Sequence, residues 1–431
     1  MTLLRADTVV RDADSVLRDG AVVVDGDRIA AVGDRDDLTD AYPDHERVDV
    51  DVLAPGLVGA HVHSVQSLGR GIADDQELLD WLFDHVLPME ASMGAAEMRA
   101  AADLAYLEFV ESGTTGVVDH LSVDHAGEAF AAAADSGVRA RLGKVLMDKD
   151  SPEGLLEDTD EALAETESLI REWDGARGGR IQYAVTPRFA VSCTEECLRG
   201  CRDLADEYDV RIHTHASENQ GEIETVEEET GKRNVHWLDE VGLTGEDVVL
   251  AHCVWTEESE RELLAETGTH VTHCPSSNMK LASGVAPIED YLDRGINVAL
   301  GNDGPPCNNT LDAFTEMRQA SLLGKVEELD PTALAARTVF EMATRNGAKA
   351  AGFETVGRIA EGWKADLVGL TTENARSTPI HDPYSHLVYA AHGDDVTLTM
   401  ADGDVLYRDG EHVRMDAERV RERAREFAAE L

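Results

Sequence analysis

The chain has 431 residues, of which 42% are hydrophobic and 29% charged, and its 86 acidic and 38 basic residues give a net charge of −48. This length is enough for a large buried core, and no apolar run approaches the roughly 18 to 20 residues that cross a bilayer, so a membrane-spanning or disordered chain is excluded. The negative charge also argues against binding to nucleic acid or to an anionic membrane.

The acidic residues are spread along the chain, and only seven of the 38 basic residues are lysine. Self-repulsion on this scale is tolerated where salt shortens the Debye length to about 3 Å near 1 M. The first residues show neither the basic start nor the apolar segment of a secretory signal, and the six cysteines include no C-x-x-C pair. We therefore expect a cytoplasmic protein with reduced thiols in a high-salt cytosol, the alternative being an ordinary acidic surface.

The first 50 residues alternate short apolar runs with turn residues. Residues 21–24 and 29–33 are apolar and are separated by the turn residues 25–27, a pattern typical of a small antiparallel sheet. The far end of the chain has the same character. We expect the two ends, residues 1–55 and 363–431, to form one small β-sandwich domain, with a helix at the end of the second part.

Between these ends, short apolar strands alternate with polar helical stretches, which is the pattern of parallel β/α units. Eight strands are predicted, at residues 57–62, 116–120, 139–146, 180–186, 210–215, 248–253, 270–274 and 297–302. Eight such units close a (β/α)8 TIM barrel, for which roughly 250 to 300 residues is a fitting length. The predicted fold class is therefore α/β, with the barrel at residues 56–362.

Most of the predicted strands end on, or run directly into, histidine or aspartate. These residues are His61, His63, Asp119, His120, His213, His215, His252 and Asp303, and a further strand carries His270 and His273. In a barrel of this type the carboxyl ends of the strands meet at one mouth, where the chemistry takes place. We therefore expect these side chains to converge.

The His61-x-His63 sequence places two imidazoles on one face of a strand, because strand side chains alternate with a period of two. An HxH pair is common by chance, but a catalytic zinc needs about three protein ligands and a water. His215 and Asp303, at two other strand ends, complete such a set. His213 lies one layer deeper than His215 and is interpreted as a hydrogen-bonded interior residue.

Hydrolysis also needs a group that carries a proton from water to the leaving atom. Glu218, three residues beyond His215, is placed for this role, although a loop glutamate is usually solvated. His252, at the end of the sixth strand, would face the same water, and its alternative is a supporting role in the core. Glu218, His252 and Asp303 are the predicted catalytic residues.

Four ordered motifs resemble the amidohydrolase superfamily over essentially the whole chain. They are Pro55-Gly56-Leu57-Val58 before His61-x-His63, His215-Ala216-Ser217-Glu218, Ala251-His252-Cys253 and Gly301-Asn302-Asp303-Gly304. Segments 70–75, 79–82, 274–284 and 308–312 are similar to the branch that deaminates methylthioadenosine, S-adenosylhomocysteine and 5'-deoxyadenosine. The resemblance implies that the HxH pair, His215 and Asp303 hold one divalent metal. It also implies that Glu218 and His252 assist proton transfer and that the protein is a homo-oligomer.

Four further residues are candidates for contact with substrate. The resemblance places Asp80 and Trp81 near the sugar of a nucleoside, although a tryptophan in an apolar helix more often packs in the core. The spacing His63-x-x-Gln66 and the segment around Arg188 are similar instead to guanine deaminase, in which Gln and Arg grip the base. Arg188 offers five donors in a fixed fork, and Gln66 offers a donor and an acceptor. Either would also serve as a structural hydrogen bond at the barrel mouth.

The leading hypothesis is a metal-dependent hydrolytic deaminase of an adenosine-type nucleoside, which releases the inosine analogue and ammonia. Guanine deamination and triazine-type hydrolysis, with chloride or an alkylamine as leaving group, are alternatives on the same fold. A non-catalytic scaffold protein on the same barrel is a third possibility. The presence of a ligand residue at every metal-binding position argues against it. Three histidines and one aspartate suit zinc, iron or manganese, and we expect zinc.

Overall fold

The computed structural model of the protein describes residues 1–429 and 431. Its strands are β1 (Thr2–Val10), β2 (Val16–Asp25), β3 (Arg28–Asp34), β4 (Glu46–Pro55), β5 (Leu57–Val62), β6 (Thr114–His120), β7 (Arg139–Gly143), β8 (Val145–Leu146), β9 (Ile181–Pro187), β10 (Arg211–Ala216), β11 (Val248–His252), β12 (His270–His273), β13 (Val298–Leu300), β14 (Leu367–Leu370), β15 (Val396–Ala401), β16 (Asp404–Arg408) and β17 (Glu411–His412).

The α-helices are α1 (Arg35–Ala41), α2 (Leu78–Trp81), α3 (Leu87–Ser92), α4 (Ala95–Glu111), α5 (Ala126–Ser136), α6 (Thr159–Trp173), α7 (Ala176–Gly179), α8 (Glu195–Tyr208), α9 (Gln220–Thr230), α10 (Asn234–Glu240), α11 (Glu258–Thr267), α12 (Pro275–Lys280), α13 (Ile288–Asp293), α14 (Pro305–Asn308), α15 (Ala313–Glu327), α16 (Ala336–Glu341), α17 (Gly347–Ala351), α18 (Pro383–Tyr389) and α19 (Ala417–Ala428). Turns of π-helix lie at Leu82–Val86 and Met342–Asn346, and turns of 3-10 helix at Ser64–Gly69, Ala375–Ser377 and Gly393–Asp395. No helix in the described part of the chain is long and apolar enough to span a membrane.

The central part of the chain forms a parallel barrel. Its strands follow in the order β5-β6-β7-β9-β10-β11-β12-β13, with β8 paired to β9. A bridge between Val62 and Asp303 brings the last strand back to the first. Every residue of β5, β6, β7, β11, β12 and β13 is buried, as expected for parallel strands that helices cover on the outside.

The two ends of the chain meet in one eight-stranded sheet of order β3-β2-β1-β4-β14-β15-β16-β17. At its centre, β4 runs parallel to β1 and antiparallel to β14. Apolar residues from both ends share one cluster, among them Leu4 and Val22 from the start and Leu367 and Met400 from the end. The predicted fold class, an α/β TIM barrel with a β unit built from both termini, is confirmed. The predicted terminal helix is α19, which packs on α4.

A buried ion-pair network joins this sheet to the barrel. Arg139, at the start of β7, donates to Asp366 from Nε at 2.7 Å and from Nη2 at 3.1 Å. Its guanidinium also pairs with Asp402 at 2.5 Å, and Lys364 lies 2.9 Å from the same carboxylate. Because Arg139 and Asp366 are almost fully buried, this contact fixes how the terminal sheet sits on the barrel.

Candidate active site

The carboxyl ends of three barrel strands bring four potential metal ligands together at the mouth. Asp303 Oδ1 lies 3.3 Å from Nε2 of both His61 and His63. Nε2 of His63 lies 3.2 Å from Nε2 of His215. One ligand atom from each of the four residues falls within 4.8 Å of the others, and all four are buried. The predicted ligand set is therefore assembled as one cluster.

The other ring nitrogen of each histidine is held by a hydrogen bond. Nδ1 of His63 donates to the carbonyl of His120, and Nδ1 of His215 to the carbonyl of Arg188, each at 2.7 Å. Nδ1 of His61 lies 2.9 Å from Nε2 of His213, which is the deeper interior residue that the sequence indicated. These contacts direct all three Nε2 atoms into the cluster, as supporting bonds do around metal-binding histidines.

The chemistry of the cluster fits a divalent metal. Burial lowers the pKa of His61, and it lowers the pKa values of His63 and His215 further, so these imidazoles are neutral and their Nε2 lone pairs are available. Nε2 of His61 is buried without a hydrogen-bond partner, although Asp303 lies close to it. Three neutral imidazoles and one carboxylate, with one nitrogen left unsatisfied, form a site for a divalent ion.

Glu218 and His252 lie beside this cluster. Oε2 of Glu218 is 3.5 Å from Nε2 of His252, which in turn is 4.0 Å from Oδ2 of Asp303. Burial raises the pKa of Glu218 to about 7, and it does so with help from the charges of Asp303 and Glu222. Burial alone would lower the pKa of His252, but the carboxylates of Glu218 and Asp303 outweigh it and raise the value. Glu218 and His252, whose pKa values are both raised, thus face the metal ligands as groups that can hold and transfer a proton.

Polar neighbours orient these groups. Ser277 Oγ donates to Oδ2 of Asp303 at 2.6 Å, and Nδ1 of His252 lies 3.0 Å from Oδ1 of Asn278. The backbone at the strand ends is also left-handed at non-glycine residues, with φ of 72° at His252 and 60° at Asp303. Such conformations cost about 1 to 3 kcal/mol each and persist where the surroundings over-determine them, which is typical of functional sites.

A cavity of about 30 Å³ covers the cluster. It is lined by His63, Gln66, Leu78, Trp81, Leu82, Arg188, Phe189, His215, Glu218, Glu222, His252 and Asp303. Ligand sites usually enclose about 300 Å³ or more. The apolar side chains of Leu78, Trp81 and Leu82, which come from α2 and the π-turn after it, therefore close the mouth.

The predicted substrate contacts lie in different places. Gln66, Trp81 and Arg188 are buried and line the cavity. The indole N–H of Trp81 and Oε1 of Gln66 are both buried without a hydrogen-bond partner. Asp80 is exposed on α2 and lies outside the cavity lining, so its contact with a sugar stays a prediction.

Glu90 is a charged residue at this site that the sequence did not indicate. It is 1% exposed and lies on α3. Its carboxylate accepts from Gln66 Nε2 at 2.7 Å, from Ser122 Oγ at 2.8 Å and from Arg188 Nη1 at 3.4 Å. The apolar neighbours Val86, Leu87 and Met89 would have suggested that this stretch is buried, but not what it touches.

Glu222 is the second acid that sequence reasoning missed. It is buried on α9, accepts from the backbone N–H of Glu218 at 2.8 Å and receives a hydrogen bond from Asn234. This contact holds the start of the loop that carries Glu218. Its place one helical turn after Glu218 is the only sequence feature that links it to the site.

Residues 52–406 match the amidohydrolase family, and residues 20–44 match an imidazolonepropionase-like composite domain of bacteria. The chain belongs to the amidohydrolase family. It is 44% identical over 383 residues to a 5-methylthioadenosine/S-adenosylhomocysteine deaminase of Haloarcula marismortui, covering 88% of this chain and 87% of that one. It is 37% identical over 408 residues to a 5'-deoxyadenosine deaminase of Methanopyrus kandleri, covering 94% and 93%.

Solved structures agree with this assignment. A zinc-bound adenosine deaminase from Xanthomonas campestris superposes with a TM-score of 0.93 at 32% identity, over 100% of this chain and 98% of that one. Guanine deaminase of E. coli superposes with a TM-score of 0.87 at 26% identity, over 95% and 100%. The predicted family, barrel fold and class of enzyme, a hydrolytic deaminase, are confirmed.

Proposed function

We propose that the protein removes the amino group of an adenosine-type nucleoside by hydrolysis, giving the inosine analogue and ammonia. The proposed substrates are 5'-deoxyadenosine, methylthioadenosine and S-adenosylhomocysteine. The observation that carries the proposal is the Glu218–His252 pair, buried 3.5 Å apart beside the three-histidine and one-aspartate cluster. Relatives with 37 to 44% identity over most of the chain carry the names of these deaminases, which supports the choice of substrate.

In the proposed mechanism, His61, His63, His215 and Asp303 hold one divalent ion. That ion, when bound, supplies Lewis acidity that lowers the pKa of water toward neutrality. Glu218 accepts a proton from the attacking water and delivers it to the ring nitrogen next to the amino-bearing carbon. His252 and Asp303 orient the water and the developing oxygen, and a second proton, passed through Glu218, leaves with the amine as ammonia.

The remaining cavity residues are proposed to hold the nucleoside. Arg188 and Gln66 offer hydrogen bonds on one side, and the unpartnered indole N–H of Trp81 offers a donor on the other. Asp80 is proposed to reach the sugar once α2 has moved to admit the substrate. Each of these roles requires hydrogen-bond geometry that only the bound nucleoside completes.

Guanine deamination and triazine-type hydrolysis are the alternatives. Gln66 and Arg188 lie together in the cavity, as a guanine-binding site would require. The atrazine chlorohydrolase TrzN of Arthrobacter aurescens also superposes with a TM-score of 0.92, at 26% identity over 99% of this chain and 100% of that one. Identity to the nucleoside deaminases is higher, and Glu218 has a role when an amine leaves that chloride does not need.

Several properties of the whole protein are part of the proposal. Zinc is the proposed metal, with iron or manganese as alternatives. The net charge of −48 and the haloarchaeal relatives support a high-salt cytoplasm, and a homo-oligomer without nucleic-acid partners is proposed. The proposed division is a small β-sandwich domain of residues 1–55 and 363–431, with a helix at the end of its second part, and a barrel of residues 56–362.

The test is ammonia release by the purified, zinc-loaded protein in molar KCl. Its substrates are 5'-deoxyadenosine, methylthioadenosine, S-adenosylhomocysteine, adenosine and guanine. We expect release from the adenosine-type nucleosides. Release from guanine alone would assign the base to Gln66 and Arg188, and no release from any of the five, with metal bound, would transfer the proposal to other leaving groups.

A further inference from the structure

The end of the barrel opposite the mouth holds a second cavity, of about 400 Å³. It is lined by the loops that precede strands β9 and β10 and by the segment that follows α17. Four basic residues also line it: Arg28, Arg139, Arg141 and Lys364. The chain has more than two acidic residues for each basic one, and three acids, Asp174, Asp209 and Glu354, line the cavity as well. Each buried positive charge here needs a counter-charge close to it.

Two of these arginines differ in how they are neutralised. Arg139 and Arg141 lie two residues apart on β7 and therefore point to the same face. Arg139 is paired with Asp366 at 2.7 Å. For Arg141, by contrast, no carboxylate oxygen of a described residue lies within 4 Å.

Arg141 has donors left over. Its guanidinium donates to the carbonyl of Ala351 at 2.7 Å, to that of Tyr183 at 2.6 Å and to the side chain of Gln182. A guanidinium has five N–H bonds, so two remain after these three. These three acceptors are neutral, and the charge of Asp174 acts on the guanidinium from beyond 4 Å.

Arg211, the first residue of β10, stands next to it. Side-chain atoms of Arg211 and of Arg141 flank Gly352, which lines the cavity. Arg211 donates to the carbonyl of Glu246 at 2.8 Å and, like Arg141, has no carboxylate oxygen of the described chain within 4 Å. Burial and then the charge of Arg211 lower the pKa of Arg141 to about 9, against the opposing charge of Asp174. Burial likewise lowers the pKa of Arg211, against the charges of Asp247 and Glu246.

We infer that a small inorganic anion, chloride or phosphate, binds at this end of the barrel between Arg141 and Arg211. The anion would accept hydrogen bonds from the unused N–H groups of both guanidiniums, and its negative charge would offset their repulsion. The turn Gly175–Gly179 leaves room for it, because Gly175, Gly178 and Gly179 have left-handed φ and open space where side chains would be. The acids that also line the cavity, Asp174, Asp209 and Glu354, would limit the site to a small ion.

The test is a titration of thermal stability with each anion separately. The zinc-loaded protein is kept in potassium gluconate at a constant ionic strength of about 1 M, which screens general charge effects, while gluconate is replaced by chloride or by inorganic phosphate. We expect Tm to rise by several degrees with the anion that fills the site, in proportion to the logarithm of its concentration above Kd, because a ligand that binds only the folded state stabilises by RT ln(1 + [L]/Kd). The anion that gives this logarithmic rise is the ligand; equal Tm values in all three salts, or a rise that is only linear in anion concentration as for a general salt effect, would overturn the inference.

Arg211→Gln is the diagnostic variant and is expected to lose the logarithmic rise in Tm. Arg211→Lys keeps a charge but loses the fork, and should need at least about tenfold more anion; it also serves if the first variant does not fold. Arg199→Gln is the matched control, since Arg199 is 47% exposed and paired with Glu195 near the amino end of α8, whereas the cavity residue Asp209 follows the carboxyl end of that helix. A logarithmic rise that is unchanged in both Arg211 variants would contradict the site.

Discussion

The metal-binding histidines at the mouth are neutral because they are buried. They are oriented because hydrogen bonds hold their Nδ1 atoms. These two facts are connected in His63, whose Nδ1 donates to a carbonyl while burial holds its pKa well below the usual value. The arrangement leaves Glu218, with a pKa of about 7, as a group that both accepts and returns a proton at neutral pH. The roles of metal ligand and proton carrier are thereby divided between different side chains.

Replacing Glu218 with glutamine tests this division. We expect Glu218→Gln to bind the metal as the parent does but to lose about 10² to 10⁴ in kcat, because an amide neither accepts nor returns the proton. Metal content by mass spectrometry and ammonia release by coupled assay measure the two effects. Full activity in the variant would remove Glu218 from the mechanism.

Glu90 provides a second test at this scale. In Glu90→Gln the guanidinium of Arg188 loses its buried counter-charge, and we expect kcat/KM to fall by about 10² as Arg188 and Gln66 shift. Ser122→Ala removes a hydrogen bond to the same carboxylate but leaves the charge pair, so it should cost far less. Equal losses in the two variants would indicate that the charge of Glu90 is unimportant.

Sequence reasoning found the site residues that a local pattern marks. His61-x-His63 and the residues at strand ends stand out because a strand's period fixes where they point. Glu90 and Glu222 were missed because each lies on a helix and reaches the site only through tertiary packing. No spacing along the chain encodes the contact between Glu90 and Arg188, which are 98 residues apart.

At the scale of elements, the barrel strands were predicted close to their observed limits. The third strand is the exception, since it divides into β7 and β8 around Lys144. This side chain is fully buried and paired with Glu157, an arrangement that composition does not reveal. Likewise, the apolar residues Leu78, Trp81 and Leu82 predict a packed helix but not that the packing closes a cavity.

An ion pair holds the segment of residues 73–86, which carries the side chains that close the mouth. Nζ of Lys280, on α12, lies 2.6 Å from Asp74, and it also donates to the carbonyl of Pro306 at 2.9 Å. Since a cavity of about 30 Å³ is too small for a nucleoside, substrate entry requires this segment to move away. The turn of π-helix at Leu82–Val86 is a feature often found where helices adjust at functional sites.

Lys280→Met is therefore expected to open the mouth more often. We predict faster hydrogen exchange, by about tenfold, for amides of residues 73–86, with little change in Tm because Asp74 is half exposed. Lys325→Met, which removes a lysine bonded to the carbonyl groups of Ala333 and Leu334 away from the mouth, is the control. Unchanged exchange in the first variant would rule out Lys280 as the fastening.

At the scale of the whole molecule, a few buried charges stabilise the contact between the terminal sheet and the barrel. Burial would raise the pKa of Asp402, but Arg139 and Lys364 outweigh it and lower the value to about 2. The pKa of an aspartate in the unfolded chain is about 3.9. The stabilisation from Asp402 is thus present above the unfolded pKa and is lost as the pH falls from about 4 to about 2.

The lowered pKa of Asp402 leads to a prediction for Asp402→Asn. Above pH of about 4 we expect the variant to be less stable by about 2 kcal/mol, since Arg139 and Lys364 lose a charged partner. The difference should shrink as the pH falls toward about 2, where the parent carboxylate is protonated as well. Denaturant unfolding in molar KCl at several pH values measures it. Asp135→Asn, in an exposed pair with Arg99, should show a small and constant difference.

The pairing of β14 with β4 also has a consequence for the order in which the chain is made. Leu367 of β14 pairs with Pro55 of β4, so the ribosome adds 312 further residues, from position 55 to position 367, before that partner exists. At about 5 to 20 residues per second, this takes roughly 15 to 60 s. During that time β4 has only its amino-terminal neighbour β1, and its other edge stays open on the nascent chain. Completion of the sheet is therefore a late event of biosynthesis, and a shortened carboxyl terminus would leave this edge open in the finished protein.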